Sequence, residues 1–167
     1  MFIKEKCNVE DTAYEAATGK WSASMIGYYN DEFIGDFVAF RRQFLPHQNI
    51  GYYIRHLTCK RSILKFYEIY GSSSQIVSIG SGYDTMFWLL RQEGIIFKNW
   101  YELDIEKVVK YKEEVIQKEK FKHLTHLVGG YHLISHDFNE NPHFLHNLKV
   151  KFEFDENLPT LFIDELG

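Results

Sequence analysis

Gly80-Ser81-Gly82 directly follows the β-branched run Gln75-Ile76-Val77-Ser78-Ile79. A strand that feeds straight into such a turn lets backbone approach a ligand closely, and glycine is the residue that permits both turn and approach. The same residues also suit a tight strand-to-helix turn that holds nothing, because a lone G-x-G is a weak signal. The next few residues narrow the ligand. A dinucleotide fingerprint has Gly or Ala three residues after its second glycine, whereas here that position is Thr85, preceded by the acid Asp84. An acid beside a helix start repels a pyrophosphate, and no G-K-[ST] comes after it to make a phosphate loop. A ligand with positive charge, or with an amino group seeking an acceptor, suits Asp84 better. S-adenosylmethionine, a sulfonium that also carries an ammonium group, has that chemistry.

Two further acids fall where such a cofactor needs them. Asp104 closes the strand candidate Trp100-Tyr101-Glu102-Leu103, 22 residues beyond Gly82, where a carboxylate can accept both ribose hydroxyls. Asp137 follows a weaker strand, Tyr131 to Ser135, within reach of an adenine amino group. Each acid alone reads equally well as a helix cap or a solvated loop residue. Gly, Asp and Asp at three successive strand ends are much harder to obtain by accident. Other signals carry less. His123, His126, His132, His136, His143 and His146 crowd one segment with spacings that zinc tolerates, but no cysteine lies near and no closed ligand set is visible, so we expect no metal. Cys59 reads as a small buried hydrophobe. Ser81 is not a nucleophile, since G-x-S-x-G is absent.

The elements that must position these residues are legible from periodicity. Up to about residue 70 the chain reads helical. A first helix begins near Asp11 with Tyr14, Ala17 and Trp21; a second follows an Asn30-Asp31 cap, carries Phe33, Ile34, Phe37, Val38 and Phe40, and stops at Pro46; a third runs from about Tyr52 to Tyr70 and ends on Gly71. From Gln75 onward strands and helices alternate: a helix from Met86 capped by Asp84 or Thr85, another with Ile105, Val108, Val109, Val115 and Ile116 on one face, a short one starting at Pro142, and a fourth strand at Leu161-Phe162-Ile163. That alternation predicts the α/β class, with a parallel, doubly wound sheet behind a helical extension. The expected division is residues 1–71 for the extension, a candidate cofactor cover, and residues 72–167 for the sheet.

Composition excludes several functions. Lys+Arg number 19 against 23 Asp+Glu, a net charge of −4 that implies no nucleic-acid partner. No apolar run reaches the roughly 18 residues of a membrane span. Two cysteines, Cys7 and Cys59, make no disulfide framework and suit a reducing compartment, so the expectation is a cytoplasmic protein. A monomer is expected, though no residue pattern in the sequence sets the oligomeric state.

Several blocks resemble one family. These are Lys20-Trp21 with Ile26-Gly27-Tyr28-Tyr29-Asn30-Asp31; Gly51-Tyr52-Tyr53-Ile54-Arg55; Ile76 to Thr85 with Phe87-Trp88; Tyr101-Glu102-Leu103-Asp104; and Leu158-Pro159-Thr160-Leu161-Phe162-Ile163-Asp164-Glu165. In order and spacing, from about residue 10 onward, they are similar to the leucine carboxyl methyltransferases, which act on protein phosphatase 2A. The resemblance implies a class I S-adenosylmethionine-dependent methyltransferase fold, with a Rossmann-like parallel sheet, and methyl esterification of the C-terminal leucine on the tail of the phosphatase catalytic subunit. By the same resemblance Lys20 and Arg55 correspond to the basic pair near the cofactor's methionyl carboxylate, and Gly80, with Gly82, to the first loop. Asp104 corresponds to the ribose acid, Asp137 and Phe138 to the adenine contacts, and Glu165 to the acid after the fourth strand. No residue is assigned acid–base catalysis, because a terminal carboxylate with a pKa of about 3.5 is already ionised. A family relative that methylates a modified tRNA or a small carboxylic acid remains a second reading. The family sheet has seven strands where this sequence offers four, so an incomplete fold, marginally stable, that binds cofactor without measurable turnover is a third.

Overall fold

In the computed structural model, residues 9–125, 130–140 and 143–164 are described. Helix α1 (Val9–Met25) packs against α2 (Pro46–Tyr70), and the remainder alternates: β1 (Gln75–Ile79), α3 (Met86–Gln92), β2 (Asn99–Asp104), α4 (Glu106–Val115), α5 (Glu119–Thr125), β3 (Gly130–Ser135), α6 (Phe144–Lys151) and β4 (Thr160–Asp164). The strands form one all-parallel sheet in the order β3-β2-β1-β4. The chain therefore winds outward from β1 through β2 to β3, then crosses back to the other side of β1. Such a reversal between β1 and β4 is where sheets of this kind open a crevice at their carboxyl ends.

Alternate strand residues face opposite layers. Ile76 and Trp100 join Trp88, Phe87, Phe121 and Val108 in the larger core under α3, α4 and α5, which α1 also enters through Ala13 and Ala17. Val77, Tyr101, Leu103 and Ile134 face the other way, against Leu148 of α6. Two buried layers explain why β1 and β2 carry apolar side chains on both faces. Strand β4 pairs only with β1 among the described residues, and its Phe162 is 47% exposed. Among the described residues the fourth strand thus stands at an edge of the sheet, and its two faces are only partly covered.

The sequence expectation fails between residues 30 and 46. Instead of a second long helix the chain makes a single 3-10 turn, Ile34–Asp36; Phe33, Ile34, Phe37 and Val38 are buried as the pattern required, but Phe40, read as part of the same face, is 82% exposed. Side chains there capture the backbone groups that a helix would use internally. Asp31 Oδ1 accepts the N–H groups of Phe33 (2.9 Å) and Ile34 (3.0 Å), the Phe40 N–H donates to the Tyr14 hydroxyl, and the Phe44 N–H donates to Ser22 Oγ. Pro46 opens α2 instead of stopping a helix before it, at the first-turn position that suits proline. The short helix expected from Pro142 is α6, beginning at Phe144; Pro142 itself lies outside the described residues.

Candidate functional site

Strand β1 ends in the glycine turn. Gly80 and Gly82 have φ of 60° and 50°, the left-handed region where glycine is strongly favoured. The Ser81 N–H donates to Leu103 O (3.1 Å), docking the turn on the end of β2. There the Asp104 carboxylate takes two backbone donors, the Gly82 N–H on Oδ2 (2.6 Å) and the Ile105 N–H on Oδ1 (2.8 Å). Asp104 therefore ties the glycine turn to the entrance of α4 and is itself buried.

Asp84 ends the turn beside Lys20 of α1, with Nζ to Oδ1 at 2.6 Å. Burial alone would raise the Asp84 pKa, but the charges of Lys20 and Lys112 outweigh it and hold the group at about 2. The positive charge expected beside Asp84 is thus supplied by the chain's own lysine. At the start of α3, Asp84 Oδ2 accepts the Met86 N–H, while Thr85, at the N-cap position, makes no side-chain cap bond; its hydroxyl donates to Asp31 Oδ2 (2.6 Å) and pins the 3-10 turn to the helix start.

The cleft over the turn is lined by Ala13, Ala17, Lys20, Arg55 and residues 80–84. Its volume is about 20 Å³, against the roughly 300–1,000 Å³ of small-molecule sites. The α1 alanines close it: a Cβ built on Gly82 would stand 3.6 Å from Ala13 Cβ. Two larger hollows flank it. One, about 600 Å³, opens past the ends of β2 and β3 beside Ile105, Glu106, Lys110, His136 and Asp137. The other, about 460 Å³, runs between α2 and β4, and Arg55 lines both it and the cleft.

Of the anticipated residues, Lys20, Arg55, Gly80 and Gly82 meet at the cleft; Asp104 does not line it and is bonded to the turn through the Gly82 N–H. Asp137 stands in the neighbouring hollow, its Oδ1 accepting the Asn139 N–H, while Phe138 packs on the rings of His136 and Phe144. Asp104 lies between the two groups, since its neighbours Ile105 and Glu106 line that hollow. Glu165 falls outside the described residues, and so does His126 of the histidine segment. Among the described residues no three metal-ligating side chains gather at one point, and no helix is long and apolar enough to cross a membrane.

Sequence reasoning missed the residues beneath the turn. Lys112 of α4 is fully buried, with Nζ 2.6 Å from Glu102 Oε2 and 5.5 Å from the centre of the Trp88 ring. Glu102 also accepts the Tyr131 hydroxyl (2.7 Å) and Trp100 Nε1–H (3.1 Å); burial raises its pKa and Lys112 opposes that rise. The signal was present: a lysine interrupts the apolar face of Val108, Val109 and Val115.

A parallel sheet, a left-handed glycine turn at its reversal point and acids at the following strand ends define a Rossmann-like α/β fold, and the family match makes it that of a methyltransferase. The family described as leucine carboxyl methyltransferase matches residues 13–166, and the chain belongs to that family. It is 29% identical over 184 residues to the probable leucine carboxyl methyltransferase 1 of Caenorhabditis briggsae, covering 98% of this chain and 55% of that protein. To leucine carboxyl methyltransferase 1 of Rattus norvegicus it is 27% identical over 174 residues, 94% of this chain and 52% of that protein. The tRNA wybutosine-synthesizing protein 4 of Homo sapiens is 31% identical over 116 residues, 65% of this chain and 17% of that protein. The chain spans about half the length of the leucine carboxyl methyltransferases it matches most extensively.

Proposed function

We propose that this chain carries the cofactor-binding part of an S-adenosylmethionine-dependent carboxyl O-methyltransferase acting on the C-terminal leucine of the protein phosphatase 2A catalytic subunit. The observation that carries the reading is the meeting of Gly80, Gly82, Lys20 and Arg55 at the end of β1, with Asp104 of β2 bonded to the turn, in a chain of this family. The lining fits the cofactor in kind. Its walls are small, Ser81 Oγ is buried there with no hydrogen-bond partner among the described residues, and two cations face the turn. In volume the cleft is shut, so cofactor entry requires α1 to move off the turn.

When bound, the sulfonium supplies the methyl group. The chain's own task is then to hold and to exclude water. Asp104 accepts from the ribose, Asp137 accepts from the adenine in the neighbouring hollow, which Phe138 reaches only by turning away from the His136 and Phe144 rings, and Lys20 with Arg55 hold carboxylate charge. Glu165 is assigned with them by its place after β4. An acceptor that is already ionised needs orientation and a dry contact, with no general base.

Calorimetric titration of S-adenosylhomocysteine into the 167-residue chain tests the reading, and absence of binding removes it. The acceptor is tested by labelled methyl transfer to a peptide ending in leucine, the same peptide amidated, and tRNA. Label in the free-acid peptide alone supports the proposal; label in tRNA installs the second reading, which the wybutosine relative favours and the net charge of −4 disfavours. Binding without transfer leaves a chain that holds cofactor only.

Arg55 gives a sharper expectation. It is exposed, with its guanidinium over the Tyr52 ring at 5.9 Å, and it makes no ion pair among the described residues. Arg55→Ala should weaken S-adenosylhomocysteine about tenfold, roughly 1.4 kcal/mol, while leaving the unfolding midpoint within about 1 °C. Unchanged affinity by the same titration removes Arg55 from the site.

A further inference from the structure

We infer that the buried pair Lys112–Glu102 is the positioning device of the glycine turn, holding its carbonyls away from the cleft so that the turn is preset for the cofactor. The inference rests on the turn being the cofactor turn. An ammonium carries three donors, and here each has an acceptor: Glu102 Oε2 at 2.6 Å, Gly82 O at 3.1 Å and Asp84 O at 2.8 Å. Two of the three are backbone carbonyls of the turn itself, on either side of Tyr83. Their capture from below directs both carbonyls inward, and the Gly82 N–H is meanwhile held by Asp104. The lysine comes from α4 and its counter-ion from β2, while Glu102 is fixed in turn by Trp100 Nε1 and the Tyr131 hydroxyl.

A buried ammonium is costly to place, and an apolar side chain of similar size would pack the same face of α4. An apolar replacement could hold the fold; it could not hold two carbonyls. The charge has a second effect. Lys112 is among the groups that keep Asp84 ionised, and ionised Asp84 retains Lys20 at the cleft. Lys112 and Glu102 are positioning residues that act through the turn.

The test compares K112M, K112R and the charge-neutral K112M/E102Q with the parent chain by amide hydrogen exchange and by S-adenosylhomocysteine titration. The expected result for K112M/E102Q is near-parental exchange in the β1–β2 ladder, at least tenfold faster exchange at residues 82–86, and at least tenfold weaker binding. Parental protection of the turn together with parental affinity in that variant overturns the inference, as does a loss at the turn no larger than the loss in the ladder. K112R should fail to restore the turn, because a planar fork cannot point its donors at the same three acceptors. If the parent chain binds no S-adenosylhomocysteine, the functional reading falls and the exchange comparison still decides the turn. If the variants do not fold, nitrogen-15 NMR of the parent's Lys112 ammonium decides: slow proton exchange with contacts to Gly82 and Asp84 supports the device, and exchange as fast as a surface lysine's refutes it.

Discussion

Asp104→Ala should lower affinity for S-adenosylhomocysteine at least 100-fold, about 2.7 kcal/mol, and reduce stability by about 3 kcal/mol. The two losses have separate origins. Stability falls because the carboxylate accepts the N–H groups of Gly82 and Ile105 in a buried position, leaving both donors without an acceptor once it is gone. Hydrogen bonds to a charged group contribute roughly 1.5–3 kcal/mol each. Affinity falls further because the ribose loses its acceptor and the turn loses its tie to β2. Asp104→Asn separates the two, since its single oxygen can keep one of the N–H groups but its amide nitrogen meets the other. It should recover part of the stability and little of the binding. Titration calorimetry beside denaturant unfolding reads both quantities, and parental affinity in the alanine variant would remove Asp104 from the ribose.

The sheet and its turn were readable because they depend on local signals. A β-branched run followed by Gly80-Ser81-Gly82 has few structural solutions, and the strands at 75–79, 99–104, 130–135 and 160–164 each fell on a strand candidate. The residues that failed to show themselves act across the sequence. Asp31 reaches Thr85, 54 positions away, and Tyr14 reaches the Phe40 backbone, 26 away; these contacts turned an apparent helix into a single turn. Periodicity correctly placed Phe33, Ile34, Phe37 and Val38 inside, but it could not show which groups would take their backbone hydrogen bonds. Lys112 was hidden for the opposite reason. A lysine in a helical stripe reads as the edge of that stripe, and only the sheet's geometry puts Glu102 and two turn carbonyls around it. The cleft's closure by α1 was equally invisible, because alanines at helical spacing signal packing without naming the partner.

Acidification should unfold the chain in two steps of linkage, the first governed by His56. This residue is buried in α2, stacked on Tyr29 with ring centres 4.0 Å apart, and burial lowers its pKa from 6.5 to about 4. Asp84 and Glu93 act to raise it, Lys20 and Lys60 to lower it further, and desolvation prevails. The folded-state value is depressed, so between about pH 6.5 and 4 the unfolded chain binds a proton that the folded chain refuses. Stability therefore declines as pH falls through that window, by up to about 3 kcal/mol for this group alone. His132, lowered by burial as well, adds in the same direction. Asp84 acts lower down: held at about 2, it contributes stability that is full above about pH 3.8 and is lost toward pH 2. Asp31 and Glu102 carry the opposite sign, because burial raises both, so the decisive quantity is a difference between proteins. His56→Phe keeps an aromatic ring against Tyr29 and removes the titration. Denaturant unfolding from about pH 8 to 3 should give the variant a flatter curve than the parent between about pH 6.5 and 4, with the two running parallel below that. Curves that stay parallel across the upper window would show that His56 takes up its proton in the folded chain as readily as in the unfolded one.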